Sequence, residues 1–235
     1  MQLFYYPNID TTTERLALDK EDARHMTRVL RKKTGDQVHI TNGSGALFVA
    51  TIGLITNSKC ELHLAFAKAE QPPSYQLHIA IAPTKMNDRM EWFLEKATEM
   101  GVTRITPLLC DHSERKKINH ERFDKIIVSA MKQSLQLYKP QLDELTSFAD
   151  FLAAPTDAKK FIAHCEETQK QTLQEIAPKA SNVLMLIGPE GDFSSQEIGA
   201  AITSGFLPVS LGNNRLRTET AGVYTSAVFN AINSF

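Results

Sequence analysis

The sequence has few cysteines, and their spacing gives them no common role. Cys60, Cys110 and Cys165 are the only three among 235 residues, and no C-x-x-C pair occurs. An odd number of distant cysteines predicts neither a disulfide framework nor a zinc ribbon, and it favours a reduced, cytoplasmic setting. The seven histidines show no metal-binding spacing, and Cys110-Asp111-His112 is too short for a metal site, so we expect no metal.

Long apolar runs and a strong net charge are also lacking. No stretch reaches the ~18 apolar residues that cross a bilayer, and residues 1–7 do not begin a signal peptide. We therefore expect a soluble protein with no membrane partner. A net charge of -1 and a pI of 6.7 argue against a protein that coats nucleic acid through bulk charge, although they allow a local basic patch.

One domain boundary is visible at residues 70–74, Glu-Gln-Pro-Pro-Ser, because adjacent prolines favour an extended connector. Before it, Val38–Ile40 and Leu47–Ile52 flank a turn-forming cluster, which predicts a hairpin. Cys60–Leu64 alternates apolar and polar residues, as a half-buried strand does. Residues 1–70 are therefore predicted to form a small β-barrel with one helix.

Residues 71–235 alternate strand and helix patterns. Strands are predicted at Leu77–Ala82, Ile105–Leu109, Phe161–Ala163, Val183–Ile187 and Val209–Leu211. Helices are predicted at about Met90–Met100, with Gly101 as the C-terminal cap, and at Phe123–Leu137 and Thr218–Phe235. A further helix is predicted to begin at a cap formed by Ser194 or Ser195 and to end at about Thr203. This order is typical of an α/β domain with a mostly parallel sheet. Ligands of such sheets bind beyond the carboxyl ends of the strands.

A helix predicted from Asp19 to about Arg31 has two different faces. Ala23, Met26, Val29 and Leu30 fall on the predicted buried side. The opposite side carries Arg24, His25, Arg28, Arg31 and Lys32 with no acidic residue among them. Such a face is either simply solvated or a contact for phosphates, which position RNA without identifying its sequence. Next to a small barrel, we favour RNA binding.

Two glycine-containing loops follow predicted strands. The Gly188 loop, residues 188–194, lacks both the P-loop Lys-Ser/Thr pair and the dinucleotide fingerprint. Its glycines suit a close backbone approach of a ligand or, equally, a tight turn without one. The Gly212 loop, residues 211–221, contains Thr218 and Thr220, either of which can cap the last helix. Arg217 has no such structural role, and its guanidinium suits a phosphate or a developing oxyanion.

Four segments together resemble the RsmE family, SPOUT-fold enzymes that methylate N3 of a uridine in small-subunit ribosomal RNA. They are His25–Arg31 with Gly35-Asp36, Lys85–Gly101, Ile187–Phe193 and Leu211–Ala221. The family usually has Pro-Arg-Ile or Pro-Arg-Val where this chain has Asn213-Asn214-Arg215. An arginine common in the second helix is also missing around Lys132–Gln136. These departures concern details of RNA or cofactor contact rather than the reaction class.

The resemblance implies a PUA-like RNA-binding barrel in residues 1–70 and a SPOUT domain with a deep trefoil knot in residues 71–235. It implies a homodimer whose active site uses both chains, acting in the cytoplasm on 16S rRNA or the small ribosomal subunit. The implied cofactor is S-adenosylmethionine (SAM), held bent by the two loops. The residues implied for it are Ile187, Gly188, Pro189, Glu190, Gly191, Leu211, Gly212, Leu216, Thr218 and Ala221.

Methylation of N3 requires removal of a proton, because protonated N3 is a poor nucleophile. The site then needs a base, or a cation that favours the imide anion. We assign the cation role to Arg217 and leave Glu190 and Glu219 as alternative bases. Trp92 and Phe93 lie in a predicted helix, and we expect them to pack in the core rather than to serve as base-stacking platforms.

Two other interpretations compete with this one. A non-catalytic RNA-binding protein could keep the α/β half as a scaffold. An enzyme of a different class could bind a nucleotide phosphate at the Gly188 loop and the helix that follows it. Binding of SAM without RNA or metal distinguishes the methyltransferase from both.

Overall fold

The chain first passes from one structural unit to the other at the Pro72-Pro73 pair. The computed structural model of the protein describes residues 2–56 and 59–233. Residues 1–72 and 131–139 form unit 1, and residues 73–130 and 140–235 form unit 2. The sequence predicted a division after residue 70, and it did not anticipate that residues 131–139 belong with unit 1.

The sheet of unit 1 has the strand order β1-β3-β4-β5-β2. Its strands are β1 (Leu3–Tyr5), β2 (Arg15–Ala17), β3 (Gln37–Thr41), β4 (Ala46–Ile55) and β5 (Cys60–Ala69). β1 and β3 are parallel, and the other neighbours are antiparallel. The predicted hairpin is confirmed as β3 and β4. Among the described residues no pairing joins β1 to β2, so a closed barrel stays a prediction.

The predicted N-terminal helix is present, but it changes type along its length. Helix α1 (Lys20–Arg24) begins after Asp19, whose carboxylate accepts a hydrogen bond from the Asp22 N–H. A π-helical segment, His25–Val29, follows, and the Leu30 N–H donates to the carbonyl of the residue five positions earlier. Short π-helical turns of this kind are rare in proteins and frequently occur at functional sites.

The change of helix type explains one wrong prediction. Ala23 and Met26 are fully buried, as their spacing predicts. Val29, expected on the same side, is 69% exposed. A π-turn contains more residues than an α-turn, so the 100° spacing assumed for the prediction no longer applies beyond Met26. The helical path ends near Arg31, whose φ of 52° is left-handed.

Unit 2 contains a parallel sheet with the strand order β11-β13-β10-β12-β6-β7-β8, with β9 paired beside β7. Its strands are β6 (Leu77–Ile81), β7 (Arg104–Leu109), β8 (Gln141–Leu142), β9 (Thr146–Ser147), β10 (Lys159–Ala163), β11 (Gln171–Thr172), β12 (Val183–Ile187) and β13 (Leu207–Ser210). Its helices are α2 (Asn87–Glu99), α3 (His120–Gln133, whose last three residues group with unit 1), α4 (Phe148–Ala153), α5 (Leu173–Ile176), α6 (Ser195–Thr203) and α7 (Thr218–Asn233). The predicted parallel α/β architecture is confirmed.

Alternating strand residues build a hydrophobic core on each face of this sheet. Val183, Met185 and Ile187 of β12 pack into the core that includes α2, α3 and α7. Leu184 and Leu186 pack into the opposite core, which includes α4 and α6. A central strand covered on both faces must be apolar at every position, which is why β12 appears in the sequence as an unbroken apolar run.

Several predicted boundaries differ from the observed ones. The second helix ends at Gln133 rather than Leu137, because Leu135 adopts a left-handed φ of 60°. The last strand is β13 rather than Val209–Leu211. Residues 234 and 235 of the predicted final helix lie outside the described residues. The short elements β8, β9, β11, α4 and α5 were not predicted, because two to six residues carry little periodicity.

Among the helices of residues 2–56 and 59–233, none combines the length and apolar character that a bilayer crossing requires.

Helix α7 approaches α2 closely at a glycine. A Cβ built on Gly222 would lie 2.5 Å from Cδ2 of Phe93, which is fully buried. A Cβ built on Gly199 of α6 would meet nothing within 4 Å. The two helical glycines therefore differ in packing rather than in backbone conformation.

Gly222→Ala should lower the free energy of unfolding by about 1–3 kcal/mol, because the added methyl group overpacks the core against Phe93. Gly199→Ala is the control and should raise it by about 0.5–1 kcal/mol through helix propensity alone. Urea titrations followed by the fluorescence of Trp92, the single tryptophan, measure both changes in unit 2. Equal effects of the two substitutions would contradict the close packing of α7 on α2.

Candidate active site

A cavity of about 610 Å³, called the strand-end pocket below, lies at the carboxyl ends of β10, β12 and β13. Parallel sheets bind ligands at this edge. It is lined by nine of the residues predicted for the cofactor: Ile187, Gly188, Pro189, Glu190, Leu211, Gly212, Leu216, Thr218 and Ala221. Gly191, also predicted, does not line it, because the loop turns this residue toward the His112 side chain.

The Gly188 loop is held in place by its own polar groups. The Asp192 N–H donates to the Pro189 carbonyl at 2.9 Å and closes a turn. One Asp192 carboxylate oxygen accepts from the Cys165 N–H at 2.7 Å, and Asp192 itself has a left-handed φ of 64°. At the end of the loop, Ser194 caps α6, and the buried Glu197 completes a capping box with it. The sequence left Ser194 and Ser195 as alternative caps. The spacing Ser-x-x-Glu from Ser194 to Glu197 could have identified Ser194 as the cap.

Glu190 has a structural partner. Its Oε1 accepts a hydrogen bond from the Lys85 N–H at 3.0 Å, in the segment between β6 and α2. Its side chain is otherwise exposed. Arg115 Nε donates to the carbonyl of Thr84 at 2.9 Å and so anchors the same segment. Glu190, one of the two candidate bases, therefore connects the Gly188 loop to the segment between β6 and α2.

The Gly212 loop is linked to the Gly188 loop by a buried hydrogen bond. The Thr218 hydroxyl donates to the Gly188 carbonyl at 3.0 Å, and Thr218 is only 5% exposed. The sequence predicted a capping role for Thr218 or Thr220, but the observed Thr218 hydroxyl serves the neighbouring loop instead. Gly212 has a φ of 123°, a backbone conformation that residues other than glycine rarely adopt.

A second, more open cavity, called the Trp92 pocket below, adjoins the first. It is lined by Asp88, Arg89, Trp92, Arg215, Leu216, Arg217, Glu219 and Thr220. Arg215, Leu216 and Arg217 line both cavities. Phe93 is buried as predicted, but Trp92 is 43% exposed, so the prediction that it packs in the core is wrong. Adjacent helix positions point in different directions, and Trp92 points toward this cavity.

Glu219 is the buried carboxylate of the Trp92 pocket. It is 6% exposed, and its Oε2 has no hydrogen-bond partner among the described residues. Its Oε1 lies 3.9 Å from Arg89 Nε. A buried carboxylate oxygen without a donor is costly in a folded protein. Glu219 therefore differs from Glu190 in being buried with a carboxylate oxygen that lacks a donor among the described residues.

His164, which was not singled out in the sequence, lines the strand-end pocket directly after β10. It is 8% exposed, and neither ring nitrogen has a hydrogen-bond partner among the described residues. Burial lowers the pKa of the imidazole, and the nearby Lys170 ammonium lowers it further. No sequence motif includes this residue. Its position directly after a predicted strand was the one feature of the sequence that could have indicated a place near the site.

The predicted RNA-binding residues lie in unit 1. Arg24, His25, Arg28 and Arg31 are exposed, whereas Lys32 is half-buried with Nζ 3.4 Å from the Gln37 carbonyl. The His25 ring packs edge-on against Phe4, and Lys132 Nζ lies 5.9 Å from the centre of the same ring. Lys132, from the segment 131–139, thus places a cation at the ring that His25 contacts, which the sequence could not show.

Known families match both units. The model of an RNA methyltransferase domain matches residues 70–230, and that of an RNA methyltransferase PUA domain matches residues 18–64. "Ribosomal RNA small subunit methyltransferase E" of Buchnera aphidicola subsp. Acyrthosiphon pisum is 31% identical over 88% of this chain and 83% of its own length. Its Rickettsia conorii namesake is 28% identical over 85% of this chain and 82% of its own.

Solved structures agree with these matches. A "probable rRNA-methyltransferase" from Porphyromonas gingivalis is 37% identical, with a TM-score of 0.87 over 100% of this chain and 99% of that one. A protein from Legionella pneumophila, solved in complex with the bound cofactor SAM, is 29% identical, with a TM-score of 0.88 over 98% and 97% of the two chains.

Thr218→Val should lower the free energy of unfolding by about 1–2 kcal/mol, because the buried Gly188 carbonyl loses its donor. Thr218→Ser should restore most of the loss. Thr225→Val is the matched control in the same helix, because the Thr225 hydroxyl bonds only the Ala221 carbonyl of its own helix. Urea titration followed by Trp92 fluorescence is the measurement, and similar losses at both positions would count against the loop connection.

Proposed function

We propose a reaction for this chain on the basis of its family. The chain belongs to the RsmE family of RNA methyltransferases, as the comparisons of sequence and structure show. The chain transfers a methyl group from SAM to N3 of a uridine in 16S rRNA. Residues 71–235 carry the transfer, and residues 1–70 bind the RNA.

The observation that carries this proposal is the shared wall of the two pockets. Methyl transfer is an in-line displacement, so donor and acceptor must occupy neighbouring sites in a fixed geometry. The strand-end pocket and the Trp92 pocket meet at Arg215, Leu216 and Arg217. We assign the first pocket to the methyl donor and the second to the uracil base.

The strand-end pocket fits SAM in size and chemistry. Its volume of about 610 Å³ lies within the range of about 300–1,000 Å³ usual for cofactor sites. It offers apolar walls and, at His164, buried polar atoms that lack a partner among the described residues. SAM supplies an electrophilic methyl group on a sulfonium. The proposal includes no metal: in residues 2–56 and 59–233 no three His, Cys, Asp or Glu side chains are grouped as ligands.

Glu219 is the proposed base. Its Oε2 faces no donor among the described residues, and its side chain lines the Trp92 pocket, where the base to be methylated would lie. Removal of the N3 proton by Glu219 leaves an imide anion. Glu190 lines only the strand-end pocket and accepts from the Lys85 N–H, so we assign it to loop positioning.

Arg217 is the proposed cation. It is exposed and lines both pockets, so its guanidinium can reach the boundary between donor and acceptor. A fixed positive charge there stabilises the uracil anion as the proton leaves. Arg217 thus makes N3 a better nucleophile without taking the proton.

In unit 1 we propose that Arg24, His25, Arg28, Arg31 and Lys32 contact RNA phosphates. The exposure of the first four and the absence of acidic residues between Arg24 and Lys33 support this role. Lys132 beside His25 extends the same set of cations. Three further parts of the proposal rest on family membership alone: the deep trefoil knot, the homodimer and the cytoplasmic location.

The overall reaction is tested in two steps. Purified protein should bind SAM and S-adenosylhomocysteine in calorimetry without RNA or metal, and rRNA from a deletion strain should lack a single N3-methyluridine in mass spectrometry. Binding of neither compound would favour the non-catalytic RNA-binding alternative. A preference for nucleoside phosphates would favour an enzyme of a different class.

Glu219→Gln should lower kcat for small-subunit methylation at saturating SAM by about 10²–10⁴-fold, the usual contribution of a general base. Arg217→Ala should lower it by about 10²-fold. Glu190→Gln is the matched control, with kcat within a few-fold of the unmodified protein. Calorimetry with S-adenosylhomocysteine confirms that each variant still binds the cofactor. A large loss in Glu190→Gln with an active Glu219→Gln would reverse the assignment of the base.

A further inference from the structure

We infer that the imidazole of His164 binds the nucleoside part of the methyl donor in the strand-end pocket. The inference rests on the proposed function, because it takes the ligand of this pocket to be SAM. It adds a cofactor-binding residue outside the two glycine loops that the sequence indicated.

The position of His164 follows from the strand order. β10 lies between β12 and β13, the two strands that lead into the Gly188 and Gly212 loops. His164 is the first residue after β10, so it emerges at the same edge and between the two loops. It lines the strand-end pocket but not the Trp92 pocket. His164 therefore lies away from the wall at which methyl transfer is proposed.

The ring of His164 is buried but lacks a partner within the described protein. The backbone carbonyl of this residue is engaged, since it accepts a hydrogen bond from Lys170 Nζ at 2.7 Å. The two ring nitrogens are buried, and neither has a hydrogen-bond partner among the described residues. Buried polar side-chain atoms are nearly always hydrogen-bonded in native proteins. His164 lines a pocket, so a ligand bound there is the partner that we infer for its ring.

The chemistry of the ring favours one part of the donor. Burial and then the Lys170 ammonium lower the pKa of His164, against the opposing influence of the Asp192 and Glu166 carboxylates, which favours the neutral form of the ring. A neutral imidazole has one donor and one acceptor. Ribose hydroxyls and the adenine edge are uncharged and offer both kinds of group. The carboxylate of the amino-acid part is negatively charged and better matched by the arginines of the Gly212 loop.

The experiment compares two ligands that differ only in the amino-acid part. Dissociation constants of S-adenosylhomocysteine and 5′-methylthioadenosine are measured by calorimetry for the unmodified protein, His164→Leu and His164→Gln. His164→Leu should weaken both ligands by a similar factor of about 10- to 100-fold, as expected for two lost hydrogen bonds. His164→Gln should recover part of the loss, because an amide also donates and accepts. His120→Leu, the same substitution outside the pocket, should change neither constant.

Each result decides a separate point. A loss confined to S-adenosylhomocysteine would overturn the nucleoside assignment. Unchanged affinity for both ligands in His164→Leu would overturn the inference while leaving the proposed function intact. An unmodified protein that binds neither ligand would remove the proposed function and the inference with it. Should His164→Leu fail to fold, the ¹⁵N shifts of the His164 ring in the unmodified protein replace the variant: they should change when ligand is added, and constant shifts would refute the contact.

Discussion

The parallel pairing of β10 with β12 and β13 is the constraint on which the rest of the site depends. Strands that run in one direction must end at one edge, so the residues that follow them meet whatever their distance in sequence. This pairing brings His164, the Gly188 loop and the Gly212 loop around one cavity. The Thr218–Gly188 hydrogen bond then holds the two loops together, and Arg217 and Glu219 lie directly on either side of Thr218.

The acidic side chains of the Gly188 loop and of the helix that follows it are satisfied from within the protein. Asp192 accepts from the Cys165 N–H, Glu197 completes the cap of α6, and Glu190 accepts from the Lys85 N–H. Two side chains that line the neighbouring pockets differ from these. His164 and Glu219 are buried, each faces a different pocket, and each has side-chain atoms without a hydrogen bond among the described residues.

Unit 1 shows how a local change of helix geometry alters a surface. The π-helical segment leaves Val29 exposed beside Arg28, where a regular α-helix would have turned it inward. The same segment presents His25 to Phe4, whose ring also faces Lys132. A binding surface of cations with one apolar residue is chemically suited to RNA, whose phosphates and bases offer both kinds of contact.

Periodicity in the sequence was enough to predict the parallel α/β domain, the hairpin of unit 1 and the two glycine loops, because apolar spacing and turn residues are local properties. The identity of the base was not predictable, since Glu190 and Glu219 differ only in what surrounds them: one accepts from a backbone N–H 105 positions away, and the other is buried with an oxygen that lacks a donor among the described residues. The position of His164 in the strand-end pocket was likewise not predicted, because no sequence motif includes this residue. The surroundings of these residues follow from strand order and burial, which depend on contacts between distant parts of the chain and are therefore decided only in the folded structure.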